Sequence, residues 1–279
     1  MASQDRNENS LLAANNGRPS PRHVQAVLHA WSVLDAMAAA GRDIGVSDLA
    51  RRTGLTKASV YSILTTLETR HVVVRDPDTA RYRLSWGLYV LGATVARDSD
   101  LLWAARPLLN GLAEATGETV LLGILDEKTV LHLDRAESSS GLRMVANIGR
   151  RSPLHATASG KVLLAWQPES VVNRLLDGEL RRYSRNTITD PKELLNQLAV
   201  VRERGYGGNW QEYEIGLCSI AVPLHDHTGE VVGALTLAGP AQRLTPRSVK
   251  RQLKPLSETA ESIEKRLGAR ISLNGSAVR

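Results

Sequence analysis

The stretch SDLARRTGLTKASVYSILTTL, residues 47–67, decides how the first part of the chain folds. Ser47 is a good helix N-cap, and the run behind it through Leu49 and Ala50 to Gly54 predicts a short helix. Thr53-Gly54-Leu55 reads as a tight turn, and Thr56 can cap the next helix. There Val60, Ile63, Leu64 and Leu67 fall on one face. Two short helices joined by such a turn form a helix-turn-helix. Upstream, Ser20-Pro21 suits a helix start, Val24, Val27, Leu28, Trp31, Leu34 and Met37 recur at near-helical spacing, and Gly41 supplies the stop. Downstream the period changes. Val72-Val73-Val74, the turn Asp76-Pro77-Asp78-Thr79 and Arg81-Tyr82-Arg83-Leu84 read as a hairpin, which in this place is the wing of a winged helix.

The charge follows the same segment. The 279 residues carry a net +6, and between Arg51 and Arg83 seven basic residues face three acids, a local +4. A basic patch on a helix-turn-helix is the footprint of a polyanionic partner, here double-stranded DNA. The second helix would enter the major groove by Thr56, Lys57, Ala58, Ser59, Tyr61, Ser62 and Thr65. Arg51, Arg52, Arg81 and Arg83 would hold phosphates.

Composition bounds the rest. Hydrophobic residues make up 42%, aromatics only 4%, and Phe is absent, so Leu, Val, Ile and Ala must fill the core. No run approaches the ~18 apolar residues of a membrane span, and residues 1–19 read as a polar disordered arm rather than a secretory signal. One cysteine, Cys218, excludes an internal disulfide framework. A cytoplasmic protein without membrane partners is expected.

Residues 20–85 therefore form the expected DNA-binding domain, followed by a helical linker at 86–106. Trp86, Tyr89, Val90, Leu91 and Val95 give a helix whose apolar cover calls for a second copy of the chain, and Pro107 is read as the start of another helix ending at Gly117. From 107 to 270 strands (119–125, 129–135, 142–148, 206–213, 217–225, 231–238) alternate with helices (159–166, 168–176, 190–204, 245–267); residues 271–279 read as a flexible tail. The helix 190–204 starts behind Thr189. This order predicts an α+β sandwich, an antiparallel sheet with helices on both faces.

The run Gly149-Arg150-Arg151-Ser152-Pro153-Leu154-His155-Ala156-Thr157-Ala158-Ser159-Gly160-Lys161 sets small residues before an apolar helix. Free amides at a helix start suit a small carboxylate. It is not a phosphate-binding P-loop, for Lys161 is followed by Val162 rather than Ser or Thr. Catalysis finds little support: His155 lies near Ser152 and Ser159, but there is no nucleophile elbow and no third member. His225 and His227, in an expected turn, lack a matching metal-ligand cluster, so no metal or cofactor is expected, and Cys218 reads as core.

These segments together resemble the IclR family of bacterial transcriptional regulators. The resemblance rests on residues 49–67, Tyr82-Arg83-Leu84, Glu114 to Thr119 and Pro153 to Thr157. It continues through Gly160-Lys161, Thr187 to Asp190, Val201 to Tyr206, Glu212-Tyr213-Glu214, Gly216-Leu217 and Gly239-Pro240. It implies an N-terminal winged helix-turn-helix domain, a helical linker and a C-terminal GAF-like effector-binding domain in a homodimer or homotetramer that represses or activates transcription. It further implies an effector site formed by Thr157, Ala158, Ser159 and Gly160, with Met144 beside them, and by the strand positions Asn209, Ser219, Thr236 and Ala238. The chain departs from the family pattern at several places. Ala58-Ser59-Val60-Tyr61-Ser62 lacks the common arginine, Asn209 stands where an acid is frequent, and Ala238 where a hydroxyl is common. Cys218-Ser219 follows Gly216-Leu217 in place of Arg-Cys. A larger, partly apolar effector, an aromatic acid or its derivative, is the resulting expectation. The rival readings are a DNA-binding protein whose second domain only oligomerises, and an enzyme with an appended winged helix.

Overall fold

The computed structural model describes residues 23–137 and 148–268. Ser20, Pro21, Met144, the expected arm and tail, and residues 142–147 of the expected strand 142–148 lie outside them. The chain divides into two compact units between Val95 and Ala96.

The first unit opens with α1 (Gln25–Ala40), α2 (Val46–Thr53) and α3 (Lys57–Thr69), followed by the hairpin strands β1 (Val73–Arg75) and β2 (Tyr82–Leu84). Val33, Met37, Leu49, Val60, Leu64 and Tyr82 close one small core among these helices and the hairpin. Gly41 ends α1 and Gly54 ends α2 in the left-handed conformation, with φ of 61° and 72°, where a β-carbon is strained. Thr56 caps α3 as its side chain accepts from Ser59 N. Ser47 does not cap α2: the helix begins two residues earlier than expected, at Val46 behind Gly45, and Ser47 sits in its first turn. The wing carries a third short rung, since Ile44 and Tyr82 exchange backbone hydrogen bonds of 2.9 Å. Asp76 Oδ1 closes its turn by accepting from the Thr79 and Asp78 amides. From here α4 (Trp86–Arg97) leads onward without a buried residue.

The second unit contains α5 (Asp100–Thr116), β3 (Thr119–Asp126), β4 (Thr129–Ala136), β5 (Arg151–Pro153), α6 (Ala158–Ala165) and α7 (Glu169–Leu175). It ends with α8 (Pro191–Arg204), β6 (Gly207–Trp210), β7 (Leu217–His225), β8 (Val231–Pro240) and α9 (Val249–Arg266). The six strands form one antiparallel sheet in the order β5-β4-β3-β8-β7-β6. On one face Val120, Leu122, Ile220, Leu235 and Leu237 pack against Leu109 and Leu112 of α5 and Leu256 and Ile263 of α9. On the other, Val130, Ala221 and Ala234 pack against Val162 of α6 and Leu194 and Leu198 of α8. The α+β sandwich with helices on both faces is thus the architecture of this unit.

Several boundaries differ from the sequence reading. Pro107 lies inside α5, which begins at Asp100 behind Ser99; burial of Leu101, Leu102, Ala104 and Ala105 carries the helix through the proline. Asp190, not Thr189, caps α8, its carboxylate accepting from Lys192 N at 2.7 Å. The start of α9 falls at Val249 because Thr245 and Ser248 satisfy each other's amides in a separate turn. β6 stops at Trp210, where Gln211 takes a φ of 60°. β5 was not read from the sequence; three residues give no period to read.

A β-bulge decides which residues share a face. Leu122 pairs with Asp134 but Gly123 pairs with His132, leaving Leu133 as the extra residue. Asp134 consequently meets Arg106 of α5 at 2.7 Å, whereas His132 turns to the opposite face and meets Ser152 of β5 at 3.0 Å.

Candidate functional site

Among the described residues, each unit carries a candidate site. In the first, Val60 and Leu64 are buried on the inner side of α3, so helical geometry sends Lys57, Ala58, Ser59, Tyr61, Ser62 and Thr65 outward. All of these and Thr56 are exposed, as are Arg51, Arg52, Arg81 and Arg83. Their hydroxyls differ in availability. Thr56 and Ser59 share a hydrogen bond of 2.9 Å, and Thr65 donates to Tyr61 O, which leaves Lys57, Tyr61 and Ser62 as the more adaptable groups. Arg51 bonds Asp48 at 2.8 Å in an exposed pair that a phosphate can displace. Arg81 reaches Asp43 O on the wing.

In the second unit a cavity of about 550 Å³ lies over the part of the sheet that α6 and α8 leave uncovered. The register builds its floor: Asn209 pairs with Ser219, Ser219 with Ala238, and Thr236 with Leu121. Side chains at paired positions share a face, so Asn209 of β6, Ser219 of β7, Thr236 and Ala238 of β8 and Leu121 of β3 project into the same space. Thr157 and Ser159 form the wall at the start of α6. Of the residues expected there, Thr157, Ser159, Asn209, Ser219, Thr236 and Ala238 come together on the lining. Ala158 is buried in the apolar cluster beneath α6, and a β-carbon on Gly160 would lie 2.2 Å from Leu154 O. That glycine allows the helix start to press on the loop before it. Thr157 caps α6, donating to Pro153 O at 2.7 Å and accepting from Gly160 N at 3.1 Å.

The lining adds residues the sequence did not single out for it. His132, Arg150, Ser152 and Tyr213 belong to it, with Leu121, Leu217 and Pro240 as apolar surface. Arg150 supplies positive charge and donates to the Tyr213 hydroxyl at 3.4 Å. Burial, reinforced by the Arg150 cation, pushes the His132 imidazole down to about 4, so it is neutral at neutral pH. Nothing in the sequence marks His132, because its facing follows from the bulge. Arg150 and Ser152 lie in the quoted glycine-to-lysine run, where their order alone does not show direction.

Lys161 has a part that its sequence position did not suggest. Its side chain is fully buried, and Nζ lies 2.6 and 2.7 Å from the Glu212 carboxylate oxygens, with Gln197 Oε1 at 3.1 Å and Gly208 O at 3.3 Å. Burial pulls the ammonium below its usual range, opposed by the Glu212 charge. Glu212 also donates its amide to Asn209 Oδ1 at 2.8 Å, and its carbonyl accepts from Thr187 at 2.6 Å. The ion pair therefore pins the segment after β6, whose next residues, Tyr213 to Gly216, line the cavity. His155 bonds Arg181 O rather than a serine, and His225 bonds Glu264 at 2.6 Å. Among the described residues no group of three or more His, Cys, Asp or Glu could hold a metal, and no helix is long and apolar enough to cross a membrane.

Comparison with known proteins matches both units. Residues 93–265 match the family model described as the bacterial transcriptional regulator IclR C-terminal domain, and residues 26–77 match the IclR helix-turn-helix domain. The chain belongs to the IclR family. Among its IclR relatives is the HTH-type transcriptional regulator KdgR of Escherichia coli, 36% identical over 249 residues covering 89% of this chain and 94% of that one. The crystal structure of Thermotoga maritima IclR superposes with a TM-score of 0.74 at 32% identity, covering 88% of this chain and 100% of that one. An IclR homolog from Microbacterium hydrocarbonoxydans, crystallised with 4-hydroxybenzoate, gives a TM-score of 0.78 at 27% identity, covering 88% and 100% of the two chains. This IclR protein is a DNA-binding transcriptional regulator and not an enzyme.

Proposed function

We propose that this regulator is switched by a small carboxylic acid held in the cavity of the second unit. The observation that carries this reading is the cavity itself: a partly open space of about 550 Å³ in which the start of α6 and Arg150 supply positive potential beside the apolar Leu121, Leu217 and Pro240. A carboxylate with an apolar body fits such a lining, an aromatic acid or its derivative being the class expected from Asn209 and Ala238. The Microbacterium hydrocarbonoxydans homolog in complex with 4-hydroxybenzoate lends support from outside this chain.

On the same reading, residues 20–85 bind an operator through Lys57, Tyr61 and Ser62 at base edges and Arg51, Arg52, Arg81 and Arg83 at phosphates. Residues 86–106 form the linker and 107–270 the effector domain. The active form is a dimer or tetramer in the bacterial cytoplasm, in line with the exposure of Trp86, Tyr89, Val90, Leu91 and Val95 along α4, at 63–76% each. A thermal-shift screen of the purified chain against small carboxylates, aromatic acids and their amides tests the proposal. A ligand that stabilises the protein and changes its DNA affinity is the expected result. Silence across the panel with DNA binding intact would refute effector control and favour a second domain that only assembles the oligomer.

A further inference from the structure

Glu212 lies two residues beyond β6, buried behind the cavity and not on its lining. Its polar groups are tied to three different parts of the second unit. The carboxylate takes Lys161 Nζ of α6 at 2.6 and 2.7 Å, the amide donates to Asn209 Oδ1 of β6 at 2.8 Å, and the carbonyl accepts from the Thr187 hydroxyl at 2.6 Å. Thr187 is also buried, and its Oγ1 accepts in turn from the amides of Tyr183 and Ser184 at 3.0 and 2.8 Å. Ser184 Oγ closes the circuit by donating to Gln211 O at 2.7 Å. Gly207 lets β6 press on the start of α6, since a β-carbon there would lie 2.7 Å from Ala158 O.

A buried ion pair adds little net stability. The desolvation of both charges offsets their attraction, and apolar replacements of similar volume are often as stable or more so. What such a pair supplies is direction, because charge-assisted hydrogen bonds are short and geometrically demanding. Here they run between two walls of one cavity. Thr157 and Ser159 at the start of α6 form one wall, and Asn209 with Tyr213 to Gly216 forms the rim opposite.

We propose that Glu212 is a positioning residue for this cavity: through Lys161 and Thr187 it holds the rim 211–216 against the start of α6, and rim order, rather than fold stability, is what the network provides. That the rim serves an effector rests on the reading above, whereas its positioning stands on the geometry alone. A rim that had to be ordered on binding would subtract that cost from the affinity. Lys161 and Thr187, neither of them on the lining, thereby bear on how well the cavity is prepared for a ligand.

Hydrogen exchange of the full chain without ligand, read by mass spectrometry on peptides covering the rim 211–217 and the sheet 219–224, tests this. The reference is Leu256→Ala, which opens a void in the core on the opposite face of the sheet and lowers global stability with the network intact. In Lys161→Met/Glu212→Leu the rim should exchange at least roughly tenfold faster than in the wild type or in Leu256→Ala, with the sheet no faster than in Leu256→Ala. Thr187→Val should speed the rim likewise, and Thr187→Ser, which keeps the hydroxyl, should restore the wild-type rate. Thr187→Val removes one hydroxyl and no charge, so it reports even where the double variant fails to fold. Selective loosening of the rim in either variant supports the proposal. A rim that exchanges no faster than in Leu256→Ala, in every variant that folds, would overturn it and reduce the network to a stabilising contact. Effector control would survive that result, just as silence in the thermal-shift screen would sink effector control and leave the rim's positioning standing.

Discussion

Lys161→Met keeps the aliphatic stem of a side chain with no exposed surface and deletes an ammonium held at 2.6 and 2.7 Å by Glu212. The Glu212 side chain, 6% exposed, is left as a buried carboxylate without its cation. Removing one partner of a buried pair costs about 3–5 kcal/mol, since the remaining charge stays desolvated. For a domain of this size each kcal/mol lowers the melting midpoint by roughly 2–4 °C, so a fall of roughly 6–20 °C is expected. Glu212→Leu should cost a similar amount, because the ammonium would keep only Gln197 Oε1 and Gly208 O. The double variant tells a stored charge from a lost contact. With both charges gone, the desolvation penalty goes too, offset by about 1–3 kcal/mol for the unpaired Gln197 and Gly208 acceptors. The double variant should thus be more stable than either single variant, with a coupling energy of about 2 kcal/mol or more. Urea unfolding of the four proteins, followed by tryptophan fluorescence, measures the cycle. Single-variant costs below about 1 kcal/mol, or costs that add to within about 0.5 kcal/mol, would refute the reasoning.

Three further outcomes are expected. His132 has a folded pKa of about 4 against about 6.5 unfolded, so as the pH falls from 6.5 to 4 the unfolded chain takes up a proton that the folded chain refuses. Stability should drop by about 3 kcal/mol across that window and be flat above it, and denaturant titrations of His132→Gln should lose this component. Thr56→Ala removes the α3 cap to Ser59 N at 3.1 Å and should destabilise the first unit by about 1 kcal/mol, read from its thermal midpoint. Lys57→Ala should weaken DNA binding and reduce the salt slope of log K by about 1 if Lys57 holds a phosphate; a lost base preference with an unchanged slope would assign it to a base edge instead.

Local signals made the first unit legible. Thr56 capping α3, the left-handed glycines Gly41 and Gly54, and the apolar face of Val60 and Leu64 are each encoded within a few residues. The Ser47 cap failed because the helix could start behind Gly45, and a serine in a first turn looks the same in sequence as one at the cap. The short apolar runs of β3, β7 and β8 and the alternating β4 were legible as strands, whereas Pro107 misled, since burial along α5 outweighs one lost helical hydrogen bond.

By itself the sequence determined most of the elements, the two-part order and the family, since periodicity, caps and motif spacing are properties of contiguous residues. It also marked Thr157, Ser159, Asn209, Ser219, Thr236 and Ala238 through the resemblance. Only tertiary structure decided that His132 faces the cavity while Asp134, two residues on, faces α5, because one bulge inverts the alternation. Tertiary structure alone also joined Lys161 to Glu212, separated by 51 residues, in a pair that pins the cavity's edge. Both features depend on which strand lies beside which and what each helix covers, and burial then sets the charge state and the energy of the groups so placed.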